Sequence, residues 1–337
     1  MTVAITGATG HIGANLVRAF QDKGVSTRCL VHVNTHAIDG LNTEEVRGDV
    51  RDLDSLCRAF EGADVVYHLA ASISLSMTDW PRLEDINVKG TRNVVEACLH
   101  TGVRRLIYFS SIHSLVQEPF DVPVDESRPL VDSKRYPPYD RSKAAAEREI
   151  QRGIEKGLDA VVICPTAIFG PYDYQPSYFG EALIAIAQRQ LPALVTGGFD
   201  WVDVRDVVQG AMLAEEKALK GERYLLSGHW VSMCDIAAMI GEITGMTTRK
   251  FVCPLWLAHI GVPFIKGMSR INGKRPLYTS VSLRALKSNK CISHEKAKRE
   301  LGYSPRPFRE TLTDTLQWFI ENGLLHLPEK ARIGVHD

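Results

Sequence analysis

The sequence has no charge of one sign to spare. Forty Lys and Arg stand against forty Asp and Glu over 337 residues. Proteins that hold nucleic acid ordinarily carry a basic excess against phosphate charge, so nucleic acid is not an expected partner. Paired cysteines are missing as well. Cys29, Cys57, Cys98, Cys164, Cys234, Cys253 and Cys291 are odd in number, and no two stand at C-x-x-C spacing. That excludes a zinc knuckle and a disulfide framework, and the thiols read as small core residues in a reducing compartment. The eleven histidines show no metal-ligand spacing, so no metal is expected. Long apolar runs are absent too: the most apolar late stretch, Phe251 to Met268, is interrupted by Pro254, Pro263 and Lys266 and is too short to span a bilayer. The first residues run into a glycine loop without a secretory leader, which makes a cytoplasmic protein the expectation. No internal repeat or low-complexity tract is visible.

What is present alternates. Val3–Ile5, Arg28–Val33, a short piece near Val46, Asp64–Leu69, Arg105–Phe109 and Ala160–Cys164 read as apolar strands. Between them lie helical patterns after Ile12, from Leu53 to Phe60, from Trp80 to His100 and from Tyr139 to Lys156. Strands without in–out alternation fit a sheet covered on both faces, and alternating β and α units fit a doubly wound parallel sheet of Rossmann type. After Pro165 the alternation fades. Residues 1–165, with returning segments near 200–227, are expected to form a dinucleotide-binding domain. Residues 166–199 and 228–330 are expected to form a smaller, mostly helical, interleaved substrate-binding region. The lysine-rich Lys287–Lys298 reads as solvated surface, and Trp230, Trp256 and Trp318 read as packing residues.

Thr6-Gly7-Ala8-Thr9-Gly10-His11-Ile12-Gly13 follows the first strand and opens the first helix. Glycines there permit a tight turn and a close approach of backbone to a pyrophosphate, and the helix N-terminus offers N–H groups and a positive dipole end. Gly7, Thr9, Gly10, His11, Ile12 and Gly13 are therefore cofactor-binding candidates. An acidic residue for the adenosine ribose is missing at the end of the second strand, which reads Leu30-Val31-His32-Val33-Asn34. Without that charge a 2′-phosphate meets no repulsion, and Arg28, His32 and His36 are candidates to assist it. NADP(H) is favoured, with NAD(H) possible.

Tyr139 and Lys143 stand four residues apart on one helix face. A neighbouring ammonium and a positively charged nicotinamide favour the phenolate, lowering a hydroxyl pKa that is ordinarily ~10. The pair is then suited to hand a proton to a carbonyl or take one from an alcohol. Tyr108-Phe109-Ser110-Ser111 ends a strand before it. Ser111 is the candidate to hold the substrate oxygen, and Ser110 the neighbour that faces the structure.

With these residues together the chain closely resembles the extended short-chain dehydrogenase/reductase family, nearest to its dihydroflavonol 4-reductase and 3β-hydroxysteroid dehydrogenase-like branch. The resemblance runs nearly end to end. It includes the glycine loop, Gly48-Asp49, His68-Leu69-Ala70-Ala71, Asn87-Val88-Lys89-Gly90-Thr91 and the Ser111, Tyr139 and Lys143 set. Pro165 to Pro171, Trp201 to Val207 and Leu301 to Pro305 continue it. The resemblance implies that Asp49 and Val50 border the adenine, and that Leu69, Ala70 and Ala71 lie along the cofactor. Lys143 would hold the nicotinamide ribose, with Pro165 near the nicotinamide and Asn87 stabilising the site. It also implies a homodimer built on the Tyr–Lys helix and the helix before the serine strand.

Hydride transfer with a small, aromatic or apolar carbonyl or alcohol substrate is the expected reaction. Phe169, Tyr172, Tyr174, Tyr178, Phe179 and Trp201 are candidate pocket walls. One alternative is a nucleotide-sugar epimerase with retained NAD, for which Arg205, Lys266 and Arg270 or Arg275 are candidate diphosphate cations. A non-catalytic NADP-sensing regulator is another. Sugar dehydratases carry Asp-Glu after the serine, where this chain has Ile112-His113.

Overall fold

The computed structural model describes residues 1–191, 193–246, 251–262 and 278–328. The first half builds β1 (Thr2–Thr6), α1 (His11–Asp22), β2 (Ser26–Val31), β3 (Glu44–Arg47), α2 (Leu53–Phe60) and β4 (Val65–His68). It continues through α3 (Trp80–Leu83), a π-helical turn (Glu84–Lys89), α4 (Gly90–Thr101), β5 (Arg105–Phe109), α5 (Pro138–Glu155) and β6 (Ala160–Pro165). The second half adds β7 (Ala167–Phe169), α6 (Tyr178–Ala187), β8 (Leu194–Val195), β9 (Gly198–Asp203), α7 (Val204–Lys217), β10 (Arg223–Leu226), β11 (His229–Ser232), α8 (Met233–Thr244) and β12 (Val252–Cys253). A helical stretch over residues 255–262, α9, precedes α10 (Ser280–Ala285), α11 (Glu295–Leu301) and α12 (Phe308–Glu321).

Seven parallel strands form the central sheet in the order β10-β6-β5-β4-β1-β2-β3. Chain order reverses between β1 and β4, which opens a crevice beyond their carboxyl ends. β4 is buried along its whole length because helices cover both faces. On one face α1 and α7 pack over Val3, Ile5 and Tyr67; on the other α2, α4 and α5 pack over Ala4, Val66 and Leu106. A three-stranded sheet, β11-β9-β7, and a two-stranded one, β12-β8, stand outside it, around a separate apolar core with α6, α8 and α12.

Three expectations change. The helix from Trp80 to His100 is interrupted by the π turn, where the Thr91 hydroxyl donates to the Asn87 carbonyl at 2.6 Å and Asn87 turns its amide inward. Lys287–Lys298 is not simply solvated. Ala297 is fully buried against the central sheet, and the Lys296 ammonium donates to Glu222 and to the Arg223 carbonyl. Trp256 does not pack; it stands 68% exposed.

Candidate active site

Gly7 turns at φ 74°, and a Cβ there would lie 2.6 Å from the Ala70 backbone nitrogen. A Cβ on Gly13 would run into the Gly7 carbonyl and the Ala8 backbone, whereas Gly10 has only the Gly7 carbonyl near it, at 3.4 Å. The loop is thus folded tightly against the end of β4, with Leu69 N–H donating to the Thr6 carbonyl at 3.1 Å. No side chain caps α1 and no acidic residue sits in its first turn. That bare N-terminus, walled by glycine backbone, fits the pyrophosphate of a dinucleotide. Thr9 and Ile12 lie half-buried in the same turn. His11 is held from behind, its Nε2 3.0 Å from the Pro171 carbonyl oxygen, which also accepts from Asn15.

At the end of β2, His32 Nε2 stands 3.3 Å from Asp49 Oδ2. Asp49 also receives two hydrogen bonds from the Arg51 guanidinium, which holds its carboxyl below the usual range. Arg28 is corrected as a phosphate candidate: from the third residue of β2 its guanidinium donates to Glu44 at 2.7 Å and to the Glu61 carbonyl at 2.6 Å, away from the His32 end. His36 pairs with Asp39. The sequence reading missed Arg47. It ends β3, is exposed, and reaches over the end of β2 to the Val33 carbonyl at 3.2 Å. The signal was its place beside Gly48-Asp49. Val50 is buried against Gly90.

β5 delivers Ser110 and Ser111 to the same end of the sheet. Ser110 turns inward, donating to the buried Glu147 at 2.7 Å, where the Arg223 guanidinium also pairs. Ser111 accepts from His113 N–H at 3.2 Å and is hydrogen-bonded to the Tyr139 hydroxyl. Lys143 lies one turn along α5, its ammonium donating to the Phe109 carbonyl at 2.6 Å. Burial pushes the Tyr139 hydroxyl up to about 12 and brings the Lys143 ammonium down to about 8. The protein's own lysine therefore does not lower the tyrosine as the spacing suggested. The physical reason is that Lys143 is drawn to a carbonyl and both groups are desolvated.

Behind this set runs a polar chain. Asn87 accepts from Ser72 N–H at 2.7 Å and donates to the Ser72 carbonyl and the Ser142 hydroxyl, each at 2.9 Å. Thr91 stands 3.0 Å from His68 Nε2, and Thr6 2.7 Å from His68 Nδ1. Because the Thr91 hydroxyl is already donating to Asn87, the network places the His68 proton on Nε2. Burial, with Lys143 nearby, lowers the pKa of His68 to about 3. Ala70 N–H donates to Thr6 at 3.3 Å, Ala71 lies exposed beside it, and Pro165 ends β6 next to β5. His113 meets the Tyr139 ring edge to face, centroids 6.1 Å apart, its Nδ1 3.6 Å from the Asp140 carboxylate.

The aromatic residues divide. Phe169 and Trp201 are fully buried in the second core, so they are not pocket walls. Tyr172 and Tyr174 pack tilted and edge-on against Trp318 and lie under the Arg18 guanidinium, while Tyr178 and Phe179 are half-buried. Arg205 is bound to Asp203 and Asp314, which removes it as a free diphosphate cation. Lys266, Arg270 and Arg275 lie outside the described residues. Among the described residues no cluster of three His, Cys, Asp or Glu side chains could hold a metal.

The sequence profile of the "NAD dependent epimerase/dehydratase family" matches residues 3–227. The chain is 35% identical to sterol demethylase protein B of Methylococcus capsulatus, covering 96% of this chain and 100% of that protein. It is 31% identical to a protein of Synechocystis sp. provisionally named dihydroflavonol 4-reductase, covering 95% and 94%. The crystal structure of gox2253 superposes with a TM-score of 0.84 at 34% identity, covering 96% of this chain and 99% of that one.

Proposed function

Because the chain belongs to the NAD dependent epimerase/dehydratase family, we propose that it transfers hydride between a nicotinamide and a carbonyl or secondary alcohol. The substrate is small, and aromatic or apolar. The observation that carries this is the Tyr139 hydroxyl bonded to Ser111, with Lys143 one turn away, beside a glycine loop built for a pyrophosphate. A reduced nicotinamide held by the glycine loop would supply the hydride for the carbonyl carbon. Tyr139 would give its proton to the carbonyl oxygen, Ser111 would hold that oxygen by hydrogen bond, and Lys143 would hold the nicotinamide ribose. Asn87 fixes α5 and the Leu69–Ala71 segment relative to one another.

The names of the two relatives favour a polycyclic substrate, and residues 166–199 and 228–330 are the proposed substrate-binding region. NADP(H) is the proposed cofactor, supported by the lack of Asp or Glu in Leu30–Asn34 itself, by Arg51 paired with the neighbouring Asp49, and by exposed Arg47. A homodimer through α4 and α5 completes the proposal.

The test is to denature freshly purified protein and identify any nucleotide released. A reductase exchanges its cofactor every turnover, so little nucleotide and reversible NADPH binding are expected, followed by NADPH oxidation in a screen of carbonyl compounds. Near-stoichiometric NAD would overturn this in favour of an epimerase that keeps its cofactor. NADPH binding without turnover of any carbonyl would point to a sensor.

A further inference from the structure

In the reduction proposed above, Tyr139 ends each turnover one proton short, and the basic groups around it differ in whether they reach water. Lys143 is 5% exposed, its ammonium drawn to the Phe109 carbonyl at 2.6 Å. His68 is 1% exposed, and Thr6 and Thr91 occupy both of its ring nitrogens. His113 is placed differently. It sits in the short helical turn Ile112–Ser114, which Ser111 caps just beyond β5. Its backbone N–H donates to the Ser111 hydroxyl, which is itself bonded to Tyr139. Its imidazole packs edge to face on the Tyr139 ring and is 32% exposed. One ring nitrogen, Nδ1, faces Asp140, a carboxylate only 15% exposed that lies in the first turn of α5. The other, Nε2, has no hydrogen-bond partner among the described residues. A half-buried carboxylate beside one nitrogen fixes the ring and favours its charged form, leaving the second nitrogen to exchange its proton. The further charges acting at Asp140 are opposite in sign: Arg284 of α10, which donates to the Arg135 carbonyl, and Glu118, which accepts from Tyr136.

We propose that His113, oriented by Asp140, carries protons between solvent and the Tyr139–Ser111 hydroxyl pair. This rests on the hydride-transfer reading and adds the step that resets its acid. In that step the imidazolium Nε2–H bond breaks. The proton passes to the Tyr139 phenolate oxygen, directly or over one water, and the phenol O–H forms. The neutral imidazole then takes a proton from a buffer acid, and nothing is oxidised or reduced. Asp140 is a positioning residue: it touches the imidazole and not the reacting atoms.

The experiment is stopped-flow mixing of NADPH-loaded protein with excess phenanthrenequinone, an apolar polycyclic carbonyl, at low buffer concentration. Wild type is compared with His113→Ala and with His113→Phe, which keeps a ring against Tyr139. The first turnover spends the proton already on Tyr139, so its rate should stay within about two-fold of wild type, while later turnovers slow by about ten-fold or more. Added imidazole should restore the later turnovers of His113→Ala. In this direction kcat falls as rising pH strips the imidazole of its proton. Asp140→Asn removes the charge that favours the protonated ring, so that fall should move to lower pH. Unslowed later turnovers in both His113 variants overturn the proposal. So does a first turnover slowed as much as the rest, which a disturbed Ser111–Tyr139 geometry would give. A raised KM with unchanged kcat also overturns it and makes His113 a substrate contact. Wild-type protein that oxidises no NADPH with this quinone or any screened carbonyl rejects the hydride-transfer reading itself, and the relay with it, before any variant is compared.

Discussion

Asn87 and Ser142 are joined by a 2.9 Å hydrogen bond that connects the π turn before α4 to the helix carrying Tyr139 and Lys143. The same amide group clamps both backbone groups of Ser72, just beyond Leu69–Ala71. One side chain thus holds two walls of the crevice at a fixed separation. A regular α-helical turn would aim residue 87 differently, so the irregular turn and the amide belong together.

Asn87→Ala should then cost more than a surface change. It strands buried partners at Ser72 and Ser142, with a loss of about 1–3 kcal/mol in denaturant unfolding. kcat should fall while the Kd for NADPH moves little, because the glycine loop is untouched. A variant with unchanged kcat would show that Asn87 only bends the helix.

Tyr139→Phe removes the proposed proton donor without removing the ring. Turnover should drop by about 10²–10⁴-fold, with NADPH binding and melting temperature preserved. Residual activity near the wild-type value would move the acid–base role elsewhere, with His113 the first residue to examine.

Gly13→Ala places a methyl group against the Gly7 carbonyl and the Ala8 backbone. The loop must open to admit it, so NADPH affinity should fall at least ~10-fold while Gly62→Ala, at an open turn, leaves binding intact. Isothermal titration of the two variants is the check.

Arg47→Ala should separate the cofactors. A charged hydrogen bond to a 2′-phosphate contributes about 1.5–3 kcal/mol, so NADPH should weaken by roughly 10–100-fold and NADH hardly at all. Arg28→Ala, remote from that end of β2, should leave the ratio unchanged. Parallel losses for both cofactors would remove Arg47 from phosphate recognition.

His68 also predicts how stability follows acidity. Its folded pKa near 3 lies below the unfolded value of 6.5, so between the two the unfolded chain binds the extra proton. The contribution is complete above pH 6.5 and is lost as pH falls from there toward 3. By pH 5 that amounts to about 2 kcal/mol at this one site. Urea unfolding at pH 7 and 5 should show a smaller pH difference in His68→Gln than in the wild type; an identical difference would mean His68 does not titrate this way.

The central sheet was legible because its strands are unbroken apolar runs separated by helical patterns, and glycine fixed the first turn. Positions along the chain likewise put Ser111, Tyr139 and Lys143 near the carboxyl end of an interior strand. Side-chain commitments were not legible. Arg28 and Arg205 look free in sequence, yet each is spent on a carboxylate that folding brings beside it. Arg47 looks like a strand-end charge until β3 is laid next to β2. Phe169 and Trp201 resemble pocket walls because aromatic character does not distinguish lining from core. Desolvation of Tyr139 and Lys143 depends on what covers α5, which no local spacing encodes.

The cover of the central sheet comes from far along the chain. Val3, Ile5 and Tyr67 share a core with Val207, Val208 and Ala211 of α7, and with Ala297, Leu301 and Tyr303. During synthesis, β1 to β6 emerge from the ribosome before most of that layer exists. One apolar face waits through more than a hundred further residues for its last lid, at the pace of translation. A fragment ending at Pro165 would carry every residue proposed for the cofactor, and would still present to water the part of that face that α7 and residues 297–303 cover. Any attempt to express the first half alone should be planned with a chaperone at hand.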